Sequence, residues 1–489
     1  MSNFNRNRPH WIAAIGLEVH VQLKTATKMF CACSTEFASP PNSNICPVCT
    51  GQPGVLPVKN RYAVELAVRA GLALNSKIEK FSVFARKNYF YPDLPKAYQI
   101  SQYELPIASG GFVDVQGRKV RLVRAHLEED AGKLLHYIGS VPVDGSLVDL
   151  NRCGVPLLEI VSEPDMDSPQ FAFDYLKTLR RILRYAGVSD CDMEKGSLRC
   201  DCNISVRISE DAELGVKTEL KNMNSFKEVK DAADYEISRQ KRALEAGEKI
   251  FQETRLWNAK ESRTISMRSK EEASDYRYFP DPDIKPLFVS DRLIEEMRKK
   301  LPPLPQAVKK RFMDGGLTEY QADILTDEKV LSDYFEKILK EVSPGDVSEA
   351  ANITITYLMA EFNRQTLPLE EFLSRIKPSY ISELVKLRSA GKINKQVIKT
   401  LFPKMIAGGA SPGELVKDVS IVSDENAIVK LAEEAIAANA SSWADYVSGK
   451  EKAQGRIIGY VMKQSRGAAD PATLKKILDR IKDEESSDN

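Results

Sequence analysis

Residues 15–24 of this 489-residue chain, IGLEVHVQLK, carry a clear signal of local structure. Its odd positions are all aliphatic, and its even positions are glycine or polar. A period of two is typical of a half-buried β-strand, because successive side chains point to opposite faces. Glu18 and His20 therefore share the polar face, which is either simply solvated or lines a site.

The composition bounds the class of protein. Hydrophobic residues make up 43% and charged residues 28%, as in soluble globular proteins. The length predicts roughly two to four domains. A net charge of +1 means that any contact with nucleic acid must come from a local patch. No apolar run reaches membrane-spanning length, so the sequence predicts a cytoplasmic protein and leaves an organellar location open.

The secondary-structure pattern changes along the chain. Up to residue 289, strand and helix patterns mix without a regular rhythm, which predicts an α+β cradle on a mixed, largely antiparallel sheet. From residue 290 the patterns are helical, and a Gly/Pro/Ser cluster at 406–413 is typical of a linker. The predicted domains are therefore 1–289, an all-α domain at 290–406, and a small helical tail domain at 407–489.

Four of the eight cysteines form a cluster near the N-terminus. Cys31 and Cys33 make one pair, and Cys46 and Cys49 make a second pair within the same short segment, 31–49. Four thiolates at this spacing predict a closed, structural zinc site, because tetrahedral zinc then has no open position. The alternatives are free cysteines in a core and, with less support, a redox pair.

Other strand-like segments repeat the pattern of the first. Asp201 lies on the polar face of residues 198–207, Glu219 shares a face with basic neighbours, and residues 126–130 concentrate acidic side chains. Exposure to solvent is enough to explain any one such polar face, but several faces that carry carboxylates beside basic residues predict a cleft. Hard oxygen ligands with at most one imidazole suit Mg²⁺, and Mg²⁺ beside lysine and arginine suggests phosphate chemistry.

Residues 86–98, RKNYFYPDLPKAY, interleave basic and aromatic side chains. Such a segment either stacks on unpaired bases or forms a rigid, proline-containing loop whose tyrosines pack on the sheet. The sequence favours neither interpretation.

Taken in order, these stretches resemble the B subunits of the bacterial and organellar aspartyl/glutamyl-tRNA(Asn/Gln) amidotransferases over nearly the full length. The motifs that carry the resemblance are residues 16–25, 53–58, 86–102, 126–133, 149–152, 159–165, 196–203, 219–222 and 275–280. Residues 459–463 are similar to part of the family's terminal tRNA-contacting domain, so the resemblance implies that role for the tail.

The resemblance implies an activity. The B subunit of such an enzyme uses Mg-ATP to phosphorylate the side-chain carboxylate of Glu or Asp misattached to tRNA(Gln) or tRNA(Asn). Ammonia, channelled from glutamine that the amidase (A) subunit hydrolyses, then displaces the phosphate and leaves the amide. The implied protein is thus part of a carbon–nitrogen ligase that uses ATP and Mg²⁺, in a heterotrimer with the amidase and a small C subunit. Zinc would support the fold, and the choice between the two tRNAs stays open.

The resemblance also implies roles for individual residues. Carried over by position, the metal and phosphoryl-transfer groups of the family are Glu18, His20, Glu129 and Asp201. All four are expected at Mg²⁺, with Glu129 acting either as a ligand or as the base that deprotonates ammonia. Contacts to the tunnel or the phosphate, and positions around the metal ligands, fall on Lys87, Lys96, Glu128 and Glu219.

Three other functions compete with this one. A non-catalytic, zinc-containing RNA-binding protein would explain the cysteines but not the acidic strand faces. The archaeal relative that serves only glutamate on tRNA(Gln) carries a large inserted domain, for which this chain has no room before its helical segment. A generic ATP-dependent ligase would not need the tail.

Overall fold

The computed structural model describes residues 11–209, 211–269, 276–417, 425–465, 469 and 471–487. The chain divides into two compact units, residues 1–304 and 305–489, and each is described by itself. The first unit mixes strands and helices, and the second is helical, which confirms the predicted fold class. The predicted three-domain division at residues 289 and 406 stays a prediction.

The first unit is built on a large twisted sheet. Its strands and those of two small separate pairs are β1 (Ile12–Gln22), β2 (Lys77–Ile78), β3 (Phe81–Ser82), β4 (Phe84–Asn88), β5 (Tyr98–Gln102), β6 (Ala108–Ser109), β7 (Phe112–Val115), β8 (Arg118–Glu129), β9 (Lys133–Ile138), β10 (Val141–Asp149), β11 (Pro156–Ser162), β12 (Leu198–Arg207), β13 (Thr218–Lys221), β14 (Glu253–Asn258), β15 (Arg263–Ser269), β16 (Phe279–Pro280) and β17 (Leu287–Phe288).

Strand order in the main sheet differs from chain order. The main path runs β15-β14-β13-β12-β1-β11-β8-β5-β4-β16, with β2, β6 and β7 attached beside it. Neighbours along this path are antiparallel except β13 and β14, which are parallel, so the sheet is mixed and largely antiparallel as predicted. The hairpin β9–β10 and the pair β3–β17 are separate two-stranded sheets.

The opening strand lies near the middle of the sheet, and its alternation is confirmed. Ile15, Leu17, Val19 and Val21 are each no more than 1% exposed, whereas the polar positions between Leu17 and Gln22 are half-buried. Both edges of β1 are paired, with β11 on one side and β12 on the other. A central, doubly paired strand satisfies its backbone groups, and burial of one face accounts for the aliphatic stripe.

Helices cover the apolar face. They are α1 (Arg61–Ala73), α2 (Pro169–Tyr185), α3 (Phe226–Glu245) and α4 (Asp291–Lys300). Asn60 caps α1 and Ser168 caps α2, each through its side-chain oxygen, as expected for these residue types at a helix start. Buried side chains of these helices, such as Leu66 and Leu176, join the odd positions of β1 in one hydrophobic core. The opposite, polar face of the sheet is therefore the one on which a functional site can form.

The second unit consists of short helices in the residues that the structure describes. They are α5 (Pro305–Asp314), α6 (Glu319–Leu325), α7 (Lys329–Leu339), α8 (Val347–Ile353), α9 (Met359–Phe362), α10 (Leu369–Ser374), α11 (Pro378–Ser389), α12 (Lys395–Gly408), α13 (Pro412–Val416), α14 (Glu425–Ala438), α15 (Ala440–Val447), α16 (Gln454–Gln464) and α17 (Pro471–Ser487). The last four form a core of their own around Trp443, Ile457 and Leu478. No helix in the described part of the chain is both long and apolar enough to cross a bilayer.

Candidate active site

The register of β1 with its two neighbours brings polar residues together on one face. Glu18 lies directly opposite Asp201 of β12, and His20 lies opposite both Arg199 of β12 and Glu159 of β11. Directly opposed residues of antiparallel strands point to the same side of a sheet. Glu18, His20 and Asp201, predicted as metal ligands, therefore share one surface, and Glu159 joins them from a strand to which the sequence assigned no role.

His20, Glu128 and Glu159 converge. The Nε2 atom of His20 lies 3.5 Å from Oε1 of Glu128 and 3.3 Å from Oε2 of Glu159. One ligand atom from each residue can be chosen so that all three lie within 4.8 Å of one another. Both carboxylates are buried, at 2% and 8% exposure, which is costly for a charge without a cation close by. We name these three residues the carboxylate–histidine group.

The pKa values in this group reflect burial and the close approach of carboxylates and imidazoles. Burial opposes a charge on His20, but the hydrogen bond to Glu159 and the charge of Glu128 outweigh it and raise the pKa of His20 to about 9. Burial raises the pKa of Glu128. Burial also acts to raise the pKa of Glu159, but contacts with His126 and His20 outweigh it and hold that pKa well below its ordinary value. A divalent cation bound by these carboxylates would take over the charge compensation that His20 supplies here.

A second histidine orients Glu159. Nε2 of His126 lies 3.3 Å from Oε2 of Glu159, and Nε of Arg124 donates to Nδ1 of His126 at 3.4 Å. Because Nδ1 accepts, the proton of a neutral His126 ring is on Nε2, which donates it to the carboxylate. Arg124 thus orients His126, and His126 orients Glu159, in the way that residues next to metal ligands orient metal-binding carboxylates.

Lys87 faces the same group from β4. Its ammonium lies 4.9 Å from the ring centroid of Tyr276 and 5.9 Å from that of Tyr89. Burial opposes its charge, but Tyr278, Glu128 and Glu159 together raise the pKa of Lys87 above the ordinary value of 10.5. Lys87 is therefore a fixed cation next to the carboxylates. In the basic, aromatic segment Tyr89 packs against Tyr276, whereas Phe90 is 82% exposed; the two interpretations of this segment stay open.

Glu18, Asp201 and Glu219 make a second acidic region beside this group. Nδ2 of Asn203 donates to Oε1 of Glu18 at 2.8 Å. Lys221 is paired with Asp201 and lies 3.2 Å from Oε1 of Glu219. Burial opposes the charge of Lys221, but the two carboxylates raise its pKa. Each carboxylate in this region is thus oriented by an amide or an ammonium group.

Glu129 lies elsewhere. It follows Glu128 in β8, and consecutive strand residues point to opposite faces. Its carboxylate is paired with Lys96 and accepts a hydrogen bond from the backbone N–H of Ile100 at 3.0 Å. Both charged side chains are almost fully buried, and they line a cavity of about 140 Å³. The structure therefore brings Lys96 to Glu129 and does not bring Glu129 into the carboxylate–histidine group.

The four clustered cysteines converge. The Sγ atoms of Cys31, Cys33, Cys46 and Cys49 all lie within 4.8 Å of one another, as expected for the ligands of one tetrahedral ion. The backbone N–H of Cys46 donates to Sγ of Cys49 at 3.2 Å. The hydrogen bond with Cys31 is the main cause of a lowered pKa of Cys49, and the ammonium of Lys28 adds to it. The donor set and its hydrogen bonds fit zinc.

Sequence reasoning misses Glu159, His126 and Lys28 as parts of these sites. Glu159 stands in one of the motifs that carry the resemblance, and its strand shows the signal of a charged residue among aliphatic ones. Lys28 gives no local signal, since a lysine between the first strand and the two cysteine pairs reads as surface. Among the motifs that carry the resemblance, Asp275 lies outside the described residues.

Comparison with known proteins gives a consistent result. A family profile described as the GatB/GatE catalytic domain matches residues 13–295, and one described as the GatB domain matches residues 333–481. The chain is 49% identical to the aspartyl/glutamyl-tRNA(Asn/Gln) amidotransferase B subunit of Thermotoga petrophila over 477 residues, which is 96% of this chain and 98% of that protein. It is 48% identical to the protein of that name from Carboxydothermus hydrogenoformans, over 95% of this chain and 98% of the relative. The protein of that name from Thermodesulfovibrio yellowstonii is 48% identical, over 96% of this chain and 98% of the relative.

Proposed function

This chain belongs to the family of aspartyl/glutamyl-tRNA(Asn/Gln) amidotransferase B subunits, and from that premise we propose how its two buried sites divide the reaction. As a member of that family it is part of a multi-subunit, tRNA-dependent ligase that serves protein biosynthesis. We propose that it uses Mg-ATP to phosphorylate the side-chain carboxylate of Glu or Asp on misacylated tRNA, and that ammonia then displaces the phosphate.

The carboxylate–histidine group is the observation that carries the proposal. Two buried carboxylates offer hard oxygen ligands to a divalent ion, and His20 adds one imidazole nitrogen, with one ligand atom from each residue within 4.8 Å of the others. Bound there, Mg²⁺ would neutralise phosphate oxygens and orient the phosphoryl group for transfer. Lys87 would hold a phosphate oxygen beside the ion, since its ammonium faces the same two carboxylates.

Glu18 and Asp201 supply further carboxylates to the same face. Because they are directly opposed, both can reach one cation that accompanies the nucleotide. Lys221, now paired with Asp201 and Glu219, is placed to bind a phosphate oxygen if Asp201 turns to a metal ion. We therefore propose Glu18, His20 and Asp201 as Mg²⁺ ligands, together with Glu128 and Glu159, and Glu219 as the residue that positions Lys221.

The second step needs a different environment. A carboxylate resists attack by ammonia because its charge repels a nucleophile, whereas an acyl phosphate offers a leaving group; that intermediate must be kept from water. We propose that ammonia arrives through the cavity of Lys96 and Glu129, where a buried carboxylate can hold or accept the proton that ammonium must lose. In this proposal Glu129 is a base and not a metal ligand.

Zinc and the partners complete the proposal. Four thiolates that leave no open position suit a structural ion, so zinc would hold the segment around Cys31–Cys49 and take no part in catalysis. The complex would be a heterotrimer with an amidase that supplies ammonia and a small third protein, the family's A and C subunits. Misacylated tRNA(Gln), tRNA(Asn) or both would bind with help from the helical tail domain.

The test measures ADP and amide formation by this chain assembled with the amidase and the small third protein. The mixture contains Mg-ATP and ammonium, with Glu-tRNA(Gln), Asp-tRNA(Asn), uncharged tRNA or no tRNA. We expect ADP formation that requires a misacylated tRNA and that is lost in Glu159→Gln and Asp201→Asn. Glu104→Gln, a change at an exposed carboxylate, is the control and should behave as wild type. Binding of tRNA without consumption of ATP would favour a non-catalytic RNA-binding protein instead.

A further inference from the structure

The cysteine segment forms one wall of the cavity that holds Lys96 and Glu129. The lining of that cavity includes Cys31 and Cys49 from the cluster, and the turn that follows Cys46. We name residues 46–52 the zinc turn. Backbone hydrogen bonds close it, from Thr50 N–H to Cys46 C=O at 3.1 Å and from Gln52 N–H to Pro47 C=O at 2.9 Å. The turn is therefore a compact unit whose position depends on its two cysteines.

Gly51 of the zinc turn rests directly on Lys96. Its φ is +70°, in the left-handed region, and a Cβ added there would overlap Cγ of Lys96. The backbone at Gly51 consequently limits where the aliphatic part of the Lys96 side chain can lie. Since Lys96 pairs with Glu129, a shift of this turn would displace the ion pair.

Lys28 lines the same cavity and links the cysteines to the backbone at Leu150. Its side chain is fully buried, and its ammonium donates to Sγ of Cys49 at 3.5 Å and to the C=O of Leu150 at 3.3 Å. Its backbone N–H donates to the C=O of Cys33 at 3.0 Å. Four thiolates around Zn²⁺ carry a net charge of −2, so a buried ammonium at one sulfur compensates part of that charge. Lys28 thus ties both cysteine pairs to the loop at Leu150.

We propose that the zinc site is a positioning element for the Lys96–Glu129 pair: Gly51 sets the place of Lys96, and Lys28 holds Cys49 and the zinc turn against the cavity. The proposal rests on the proposed function, since it assigns the pair to ammonia transfer. It adds that loss of zinc lowers amide formation more than it lowers ADP formation. The carboxylate–histidine group includes none of the cysteines, Gly51 or Lys28.

The first experiment compares Gly51→Ala with Gly54→Ala in the assembled complex. Gly54 also borders the cavity and has a φ of +86°, but a Cβ there meets nothing within 4 Å, so both variants share the backbone strain and only one presses on Lys96. We expect full zinc content in both. Acetylation of Lys96 by an amine-reactive reagent, followed by mass spectrometry, should rise in Gly51→Ala alone. This readout does not depend on activity.

The same variants are then assayed for amide formed per ADP. With the pair displaced, ATP is still consumed, and water hydrolyses the acyl phosphate to carboxylate and phosphate. We expect this ratio to fall at least about tenfold in Gly51→Ala, with a raised KM for ammonium, and to stay within about twofold of wild type in Gly54→Ala. Equal labelling and equal ratios in the two variants would overturn the proposal. A wild-type complex without tRNA-dependent ADP formation would count against the proposed function alone, because the labelling result stands by itself.

A second pair of variants covers the case in which Gly51→Ala does not fold. Lys28→Met removes the ammonium at Cys49, whereas Lys28→Arg keeps a cation. We expect zinc release to a chromophoric chelator to be faster by about tenfold or more in Lys28→Met and partly restored in Lys28→Arg. Zinc extraction from the wild-type chain should raise acetylation of Lys96, and zinc addition should reverse it. Unchanged Lys96 labelling after complete zinc extraction would contradict the proposal.

Discussion

Glu128 and Glu129 are neighbours in β8, but they belong to two different environments. Glu128 lies near two histidines, Lys87 and a second buried carboxylate, Glu159, whereas Glu129 lines a small cavity with Lys96 as its charged partner. One strand thus separates a region suited to a metal ion and phosphate from a region suited to a proton and a small neutral molecule. In the proposed function, the two steps of the reaction would use opposite sides of this strand.

The largest effects are expected when each of the two carboxylates is replaced separately by an amide. Glu128→Gln should lower tRNA-dependent ADP formation by roughly a thousandfold, because the residue proposed as a Mg²⁺ ligand loses its charge. Glu129→Gln should keep ADP formation within about threefold and lower amide formation by about a hundredfold, since only the base is lost. Measured side by side in the assembled complex, an equal loss of ADP formation in both variants would contradict the separation.

Removal of the cation from each region should affect stability unequally. Lys96→Met leaves Glu129 buried without its ammonium partner, and we expect the free energy of unfolding to fall by about 3 kcal/mol. Lys87→Met should cost only about 1 kcal/mol, because histidines remain next to the carboxylates it faces. Urea denaturation of the full chain measures both. The double variant Lys96→Met/Glu129→Leu should recover most of the loss; if it does not, the ion pair is not the cause.

Cys31 and Cys49 of the cysteine cluster line the cavity, and the cluster shares no residue with the carboxylate–histidine group, so its disruption should affect the Lys96–Glu129 pair more than the carboxylate–histidine group. Cys49→Ser removes a predicted ligand and should weaken zinc binding by at least about a hundredfold, measured by competition with a chelator. Cys153→Ser is the matched control, because Cys153 is buried and its thiol donates to the C=O of Cys49 without being one of the four converging sulfurs. Unchanged zinc affinity in Cys49→Ser would show that the cluster is not the zinc site.

The smallest expected effect concerns pH. Burial would lower the pKa of Lys96, but the charge of Glu129 outweighs it and raises that pKa. A raised folded-state pKa adds stability that is fully present below the unfolded value of 10.5 and is lost as the pH rises through the folded value. The stability difference between wild type and Lys96→Met should therefore be constant from neutral pH to about pH 10 and shrink above it. Repeating the urea series at several pH values checks this, and a difference that shrinks near pH 7 would exclude the assignment.

Much of the fold was predictable because its signals are local. The aliphatic alternation of β1, the caps Asn60 and Ser168, and the change from mixed to helical patterns near residue 290 all depend on neighbours within a few residues. Cysteine spacing is a local signal too, and the four sulfurs do converge. Periodicity of this kind indicates which face of its own helix or strand a side chain occupies.

From the sequence, the alternation of residues 15–24 indicated that Glu18 and His20 share a face, whereas the resemblance placed Glu129 with them at Mg²⁺ and did not separate Glu129 from Glu128. Only the tertiary structure decided which faces meet. The order β12-β1-β11-β8 is not the order of the chain, so Glu159 reaches His20 through a register that no local pattern contains. Likewise Lys28 becomes a buried partner of Cys49 only because distant backbone encloses it. Periodicity fixes directions within an element, whereas proximity depends on packing between elements that are far apart in the chain.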